Sequence, residues 1–177
     1  LNFLIFLANQ AGIPQYYDLL LEKFFNGHIS EENVNLLTLS ASFHNASLIR
    51  GDRKLHRYQK NIIDLFQPDK RNRFVLTAPT SFGKTFLVYE IILRMQYQNI
   101  LLIFPTISLL SENYTKLQTR DIFKNYKIHS LSEEEYDLSD KNIFIFTPER
   151  FLSFMDAHQK IYFDFAFIDE IYKIDNS

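Results

Sequence analysis

A chain of 177 residues, 46% of them hydrophobic with eighteen Phe and ten Tyr, is long enough to bury a sizeable core. Nineteen basic against twenty-one acidic residues leave a net charge of −2. That excludes a strongly basic protein that gathers nucleic acid through a global field, so any strand contact has to come from local groups. With no Cys there is neither a disulfide framework nor a thiolate metal site, which fits a cytoplasmic protein.

The first fifty residues read as helical. Leu1–Leu7 is apolar but too short to span a bilayer, and no basic region precedes it, so it reads as a buried helix and not as a membrane anchor. Gln15–Phe25 carries apolar residues at three- and four-residue spacing and stops at Asn26-Gly27. Ser30 is a candidate N-cap for a helix reaching roughly Phe43, with Glu31 and Glu32 in its first turn. His28 and His44 stand alone and read as surface or cap residues. The opening Leu, and a stop soon after a dense motif, suggest a fragment at both ends. We read residues 1–50 as a helical N-terminal region that could dock a protein partner, and residues 51–177 as a separate α/β domain.

From Leu55 the pattern changes. Leu55–Phe66 is an amphipathic helix, and apolar strand candidates follow at Phe74–Thr77, Asn99–Phe104, Asn142–Phe146 and Phe163–Ile168. A weaker one, Lys127–Leu131, comes after the helix Ser108–Phe123. Near-continuous apolar strands alternating with helices indicate a parallel sheet covered on both faces. The acidic run Glu133–Glu135 is most simply a solvated loop or helix start.

The most informative stretch is Ala78-Pro79-Thr80-Ser81-Phe82-Gly83-Lys84-Thr85, between the first strand candidate and the helical pattern Phe86–Met95. Backbone N–H groups of such a loop converge with a helix N-terminus, whose dipole favours an anion. Thr80, Ser81, Phe82, Gly83, Lys84 and Thr85 would cradle phosphates, Lys84 as a point charge on the β- and γ-phosphates and Thr85 as a Mg²⁺ ligand.

Polar clusters also follow the other strong strands, where ligands of open α/β sheets bind. Asp169-Glu170 emerges from the apolar run Phe165–Ile168. Adjacent carboxylates repel and are costly to desolvate, so a cation on Asp169 and a water on Glu170 would give them separate tasks. Gln59 presents a donor and an acceptor side by side, which can meet N6 and N7 of adenine but not the two acceptors of guanine. Thr106, after Pro105, with Ser108, Thr147 and Arg150 supply hydroxyls and a guanidinium at neighbouring strand ends. They suit strand phosphates read without sequence preference and suit helix capping equally well.

In chain order Arg57-Tyr-Gln59, Ala78–Thr85, Pro105-Thr106 with Ser108–Glu112, Thr147–Arg150 and Asp169–Tyr172 resemble the first motor domain of a superfamily-two helicase of the DEAD/DEAH-box group. The resemblance covers residues 55–172. It implies a RecA-like fold, ATP and Mg²⁺, a DNA or RNA strand as partner, and a second motor domain that supplies arginine fingers. It further implies that Gln59 reads adenine, that Lys84, Thr85, Asp169 and Glu170 run hydrolysis, and that the two middle motifs touch the strand. In that family a Ser-Ala-Thr-like motif comes next, on a strand between the phosphate-loop strand and the Asp-Glu strand, so those two strands would show open edges here. Tyr172 stands where the family usually has Asp or His, a residue that couples the ATP site to the strand side. Ile107 replaces a frequent Arg, and Ser81 and Phe82 replace Gly and a small residue. The alternatives are another phosphate-loop enzyme such as a small-molecule kinase, or a nucleotide-gated, non-catalytic interaction module. Ile168–Lys173 and the helical leader point, by association alone, to a helicase accompanying a larger bacterial system such as phage defence.

Overall fold

The structure, a computed structural model, describes residues 53–68, 70, 73–79, 82–133, 135–158 and 160–170, with residues 49–50 and scattered positions between Phe3 and Lys23. The chain divides into two compact units, Leu1–Ser81 and Phe82–Ser177.

In the first unit Phe3, Leu4, Leu7, Ala8, Tyr16, Leu19, Leu20, Glu22 and Lys23 are helical, but Phe3, Leu4 and Leu7 are exposed, so the described part of Leu1–Leu7 is not the buried helix expected from its apolar run. The helix expected from Ser30 to Phe43, and His28 and His44, lie outside the described residues. Two short strands follow, β1 (Ile49–Arg50) and β2 (Arg53–Lys54), paired antiparallel with Ile49 opposite Lys54 and Arg50 opposite Arg53. β1 falls on the last two residues of the stretch read as helical, and Gly51-Asp52, next in sequence, is a residue pair typical of two-residue hairpins. Helix α1 (Arg57–Leu65) is the amphipathic helix foreseen from Leu55, with Ile63 buried.

One expectation fails outright: Phe74–Thr77 forms no strand. Val75 is 91% exposed, and Phe74, half-exposed, packs its ring 5.0 Å from Phe66. A strand exists through its ladder partners and its burial, since β-propensity is mostly a measure of packing. Among the described residues no strand pairs with this segment.

The second unit is α/β. Helix α2 (Lys84–Met95), strand β3 (Asn99–Ile103), helix α3 (Ile107–Thr119), a 3₁₀ turn (Asp121–Phe123), β4 (Tyr126–His129), β5 (Lys141–Phe146), helix α4 (Pro148–Ala157) and β6 (Phe165–Ile168) follow in order. All four strands are parallel, in the order β4-β5-β3-β6. This agrees with the RecA-like, helix-flanked sheet read from the sequence.

Alternation assigns the faces. Ile100, Leu102, Phe104, Ile143 and Ile145 share one cluster with Val88, Tyr89 and Ile92 of α2 and Leu110 and Leu117 of α3. Leu101, Ile103, Phe144 and Phe146 share the other with Phe154 of α4. Burial of each such side chain contributes about 1.5–3 kcal/mol. Strand β6 is an edge, with Ala166 and Ile168 exposed.

Polar groups register the amino ends of the strands. Fully buried Asn142 donates through Nδ2 to Asn99 Oδ1 (3.0 Å), Asp137 O (2.8 Å) and Asp140 O (3.1 Å). With Nδ2 committed, Oδ1 is the acceptor, so His129 Nε2, 2.9 Å away, carries the proton of that bond. Asp164 Oδ2 accepts from Gln98 N (3.1 Å) and Asn99 N (2.8 Å), which binds the start of β6 to β3.

Helices α2 and α3 share a buried polar contact: Tyr89 Oη donates to Asn113 Oδ1 at 2.9 Å. Burial pushes the Tyr89 hydroxyl from its ordinary 10.0 up to about 12, opposed by Arg120 and assisted by Glu112. Below pH 10 the folded and unfolded chains both keep this proton. Between pH 10 and about 12 only the folded chain keeps it, so stability falls as pH rises. We expect the denaturant midpoint to hold to about pH 9 and then drop. The drop should be shallower in Tyr89→Phe, as measured by circular dichroism across that window.

Candidate functional site at the carboxyl edge of the sheet

The topology creates the site. The crossover from β3 leaves over one face through α3, and the crossover from β5 leaves over the opposite face through α4. Connections that part in this way open a crevice beyond the carboxyl ends of adjacent strands, the position where open α/β sheets bind ligands. Two backbone bonds hold the three strand ends level: Phe104 N donates to Phe146 O at 2.9 Å, and Asp169 N donates to Ile103 O at 2.9 Å.

Helix α2 reaches the same edge. It packs on β3 through Val88, Tyr89 and Ile92 and joins β3 through only Gln96–Gln98. Its C-terminus therefore lies at the amino end of β3. Twelve residues at 1.5 Å each carry its start about 18 Å back, to the carboxyl end. Lys84 and Thr85 open the helix, behind Gly83 at φ 80° and ψ 40° as its N-cap. A Cβ at that φ would clash with the backbone, so this is a position where glycine is required. The first N–H groups of α2 are presented past an αL turn, the local geometry of an anion cradle. Phe82 is half-buried just before it. Thr80 and Ser81 lie outside the described residues.

Beyond β6, Asp169 continues the ladder direction and Glu170 turns out of it, at φ 49°. A non-glycine residue at such an angle costs on the order of 1–3 kcal/mol, and such strain concentrates where chemistry needs a fixed direction. Oε2 of Glu170 is buried. Tyr172, the departure from the family pattern, lies outside the described residues.

The hydroxyl residues act in the structure first as caps. Thr106 Oγ1 accepts from Leu109 N at 3.3 Å and starts α3. Thr147 Oγ1 accepts from Arg150 N at 3.4 Å and starts α4, with Pro148 in the first turn. Thr147 is buried, whereas Thr106 and Ser108 are exposed and Pro105 is half-buried. Arg150 Nη1 donates to Ser130 O at 3.3 Å, tying α4 to the loop after β4. Its own backbone N–H, and then the Thr147 hydroxyl, hold the Glu149 carboxyl below its usual range. A carboxylate thus already sits at the positive end of α4.

Gln59 belongs to the first unit. It is buried, and its Oε1 accepts from His56 N at 2.8 Å, so the amide is anchored at the start of α1. Sequence reasoning named Gln59 for its two-sided amide; its capping bond was also readable, as a Gln three residues after an N-cap. What sequence reasoning missed is the Tyr89–Asn113 contact, which no motif spacing signals.

Among the described residues no three His, Cys, Asp or Glu side chains converge on a metal position, and no helix is long and apolar enough to cross a membrane.

Comparison with protein families matches residues 56–177 to the DEAD/DEAH box helicases. Among curated proteins, anti-bacteriophage protein B of Escherichia coli strain K12 is 31% identical over 119 residues, which is 67% of this chain and 15% of that protein. The chain thus spans a small part of the relative it matches. No solved structure matches it.

If Thr147 serves as a buried cap, Thr147→Ala should lower stability by about 1 kcal/mol and Thr147→Ser should retain most of it. Gly83→Ala should cost about 1–2 kcal/mol through the αL position alone. Denaturant unfolding of the three variants checks both.

Proposed function

Since the chain belongs to the DEAD/DEAH box helicase family, we propose that residues 51–177 are the first part of an ATP-driven DNA or RNA motor, preceded by a helical region at 1–50 that docks a protein partner. The observation that carries this reading is the shared carboxyl edge. The start of α2, with Gly83, Lys84 and Thr85, and the tip of β6, with Asp169 and Glu170, both belong to it.

The chemistry follows from residue types. Lys84 is a compact charge at a helix N-terminus, suited to the β- and γ-phosphates of ATP. Backbone N–H groups around Gly83 hold the phosphates, with Thr80, Ser81 and Phe82 completing the loop. Thr85 and Asp169 are hard oxygen donors at the one edge and fit Mg²⁺. When bound, Mg²⁺ neutralises charge on the phosphates. Glu170, turned out of the ladder, orients and deprotonates the attacking water. Gln59 selects adenine through its amide. Pro105, Thr106, Ser108, Thr147 and Arg150 border the crevice between the diverging crossovers and meet strand phosphates without reading bases.

A second motor domain, C-terminal to this region, would supply arginine fingers, whose absence lowers hydrolysis by about 10³–10⁵. The activity belongs to the whole protein, which we place in the cytoplasm. The name of the anti-bacteriophage relative supports a role in phage defence.

In the full-length protein, strand-stimulated ATP hydrolysis is expected, and Lys84→Ala and Glu170→Gln should each lower kcat by about 10²–10⁴. A steady-state phosphate-release assay with single-stranded DNA and RNA measures this. Equal rates in all three proteins would refute the reading.

A further inference from the structure

One buried contact on the sheet's first face joins the helix that starts at the phosphate loop to the helix that starts at the strand edge. Tyr89 lies five residues after Lys84 on α2 (89 − 84), and Asn113 lies seven residues after Thr106 on α3 (113 − 106). Both side chains are almost fully buried, at 2% and 3% exposure. Tyr89 Oη donates to Asn113 Oδ1 at 2.9 Å, while Asn113 Nδ2 donates to Leu109 O at 2.8 Å. The second bond fixes which way the amide points, so the tyrosine meets an acceptor and not a donor.

The ring is gripped as well. The Arg120 guanidinium lies over it, 5.2 Å from its centroid, and Phe123 meets it edge-on at 5.3 Å. Asn113, Arg120 and Phe123 come from the middle of α3, its C-cap and the turn that follows. Tyr89 is thus held at three points along that segment. Close packing around it means that α2 cannot slide or rotate without moving α3.

The contact is out of character with its surroundings. The cluster around it is made of Val, Ile, Leu and Phe side chains, with Tyr126 at its border. Replacing both partners of such a hydrogen bond by apolar groups is close to neutral for stability. What the polar pair adds is direction and register between two helices, as buried polar groups do where one arrangement must be selected.

We propose that Tyr89 and Asn113 are positioning residues that form a strut coupling the phosphate loop at the head of α2 to the strand-binding edge at the head of α3. This rests on the function proposed above. Movement of α2 on nucleotide binding or release is carried by the strut to Thr106 and Ser108, and strand binding at α3 is returned to Lys84 and Thr85 by the same path. Coupling between two binding sites is reciprocal. The strut therefore sets two quantities by one factor: the effect of nucleotide on strand affinity and the effect of strand on nucleotide affinity.

The test uses the full-length protein as wild type, Tyr89→Phe, Asn113→Leu and the double variant. The readouts are basal ATPase, ATPase stimulated by single-stranded DNA or RNA oligonucleotides, strand Kd with and without a non-hydrolysable ATP analogue, and the unfolding midpoint. We expect Tyr89→Phe to keep basal hydrolysis and the nucleotide-free strand Kd, to lose stimulation about five- to tenfold, and to lose much of the nucleotide dependence of strand Kd. The double variant should recover the unfolding midpoint without recovering stimulation, which separates coupling from mere packing. Full stimulation in Tyr89→Phe, or stimulation that returns with the midpoint in the double variant, would overturn the strut. A wild type with no strand stimulation would overturn the proposed function itself, and the strut with it.

Discussion

The structure depends on β3 being flanked by parallel strands on both sides. Its register with β5 runs from Asn99–Asn142 to Ile103–Phe146, and its register with β6 from Ile100–Phe165 to Ile103–Ile168. A strand in that position is shut off from water on both faces and both edges, which explains why Ile100, Leu101, Leu102, Ile103 and Phe104 form an unbroken apolar run. Because the ladders are parallel, every chain segment leaving the sheet leaves from the same edge. The loops after β3, β5 and β6 are gathered there, and backbone bonds from Phe104 to Phe146 and from Asp169 to Ile103 keep them level. The site is thus a consequence of strand direction.

The polar residues at that edge serve the fold. Thr106 and Thr147 cap helices, and Arg150 holds the loop after β4. Each could be explained by folding alone. Yet a cap is also a device that aims a helix N-terminus, and a helix N-terminus is an anion site. Structural use of the Thr106 hydroxyl leaves its neighbour Ser108 exposed in the first turn of α3. Glu149 tempers this on α4 by bringing its own carboxylate to the positive end of the helix. Of the two middle clusters, α3 therefore offers the more open anion site.

The amino ends of the strands contrast with this edge. There Asn142, Asn99 and Asp164 spend their polar groups on one another and on backbone, and His129 is pinned through Nε2 between Asn142 and the Phe144 ring. Satisfied networks of this kind rigidify. Left-handed turns stand at both ends, Gln96 before β3 and Gly83 and Glu170 at the opposite edge, so the two ends differ in their polar networks and not in backbone strain.

Residue order by itself determined most of the elements of the second unit and marked the candidate positions for chemistry. The near-continuous apolar runs of β3 and β5, the amphipathic α1 of the first unit, and the Gly-Lys-Thr and Asp-Glu motifs are all properties of a few contiguous residues, and contiguous residues carry their periodicity and chemistry with them. Three things lay beyond such local reading. Phe74–Thr77 has a strand's composition but no ladder, because pairing is supplied by a neighbour and not by propensity. Strand order and the diverging crossovers, which decide that the clusters after β3, β5 and β6 share one edge, arise from packing across the whole sheet. The Tyr89–Asn113 bond joins residues on separate helices that neither spacing nor residue type marks as partners. Only the tertiary structure decided these, because hydrogen bonds and burial between distant segments form once the core has brought those segments together.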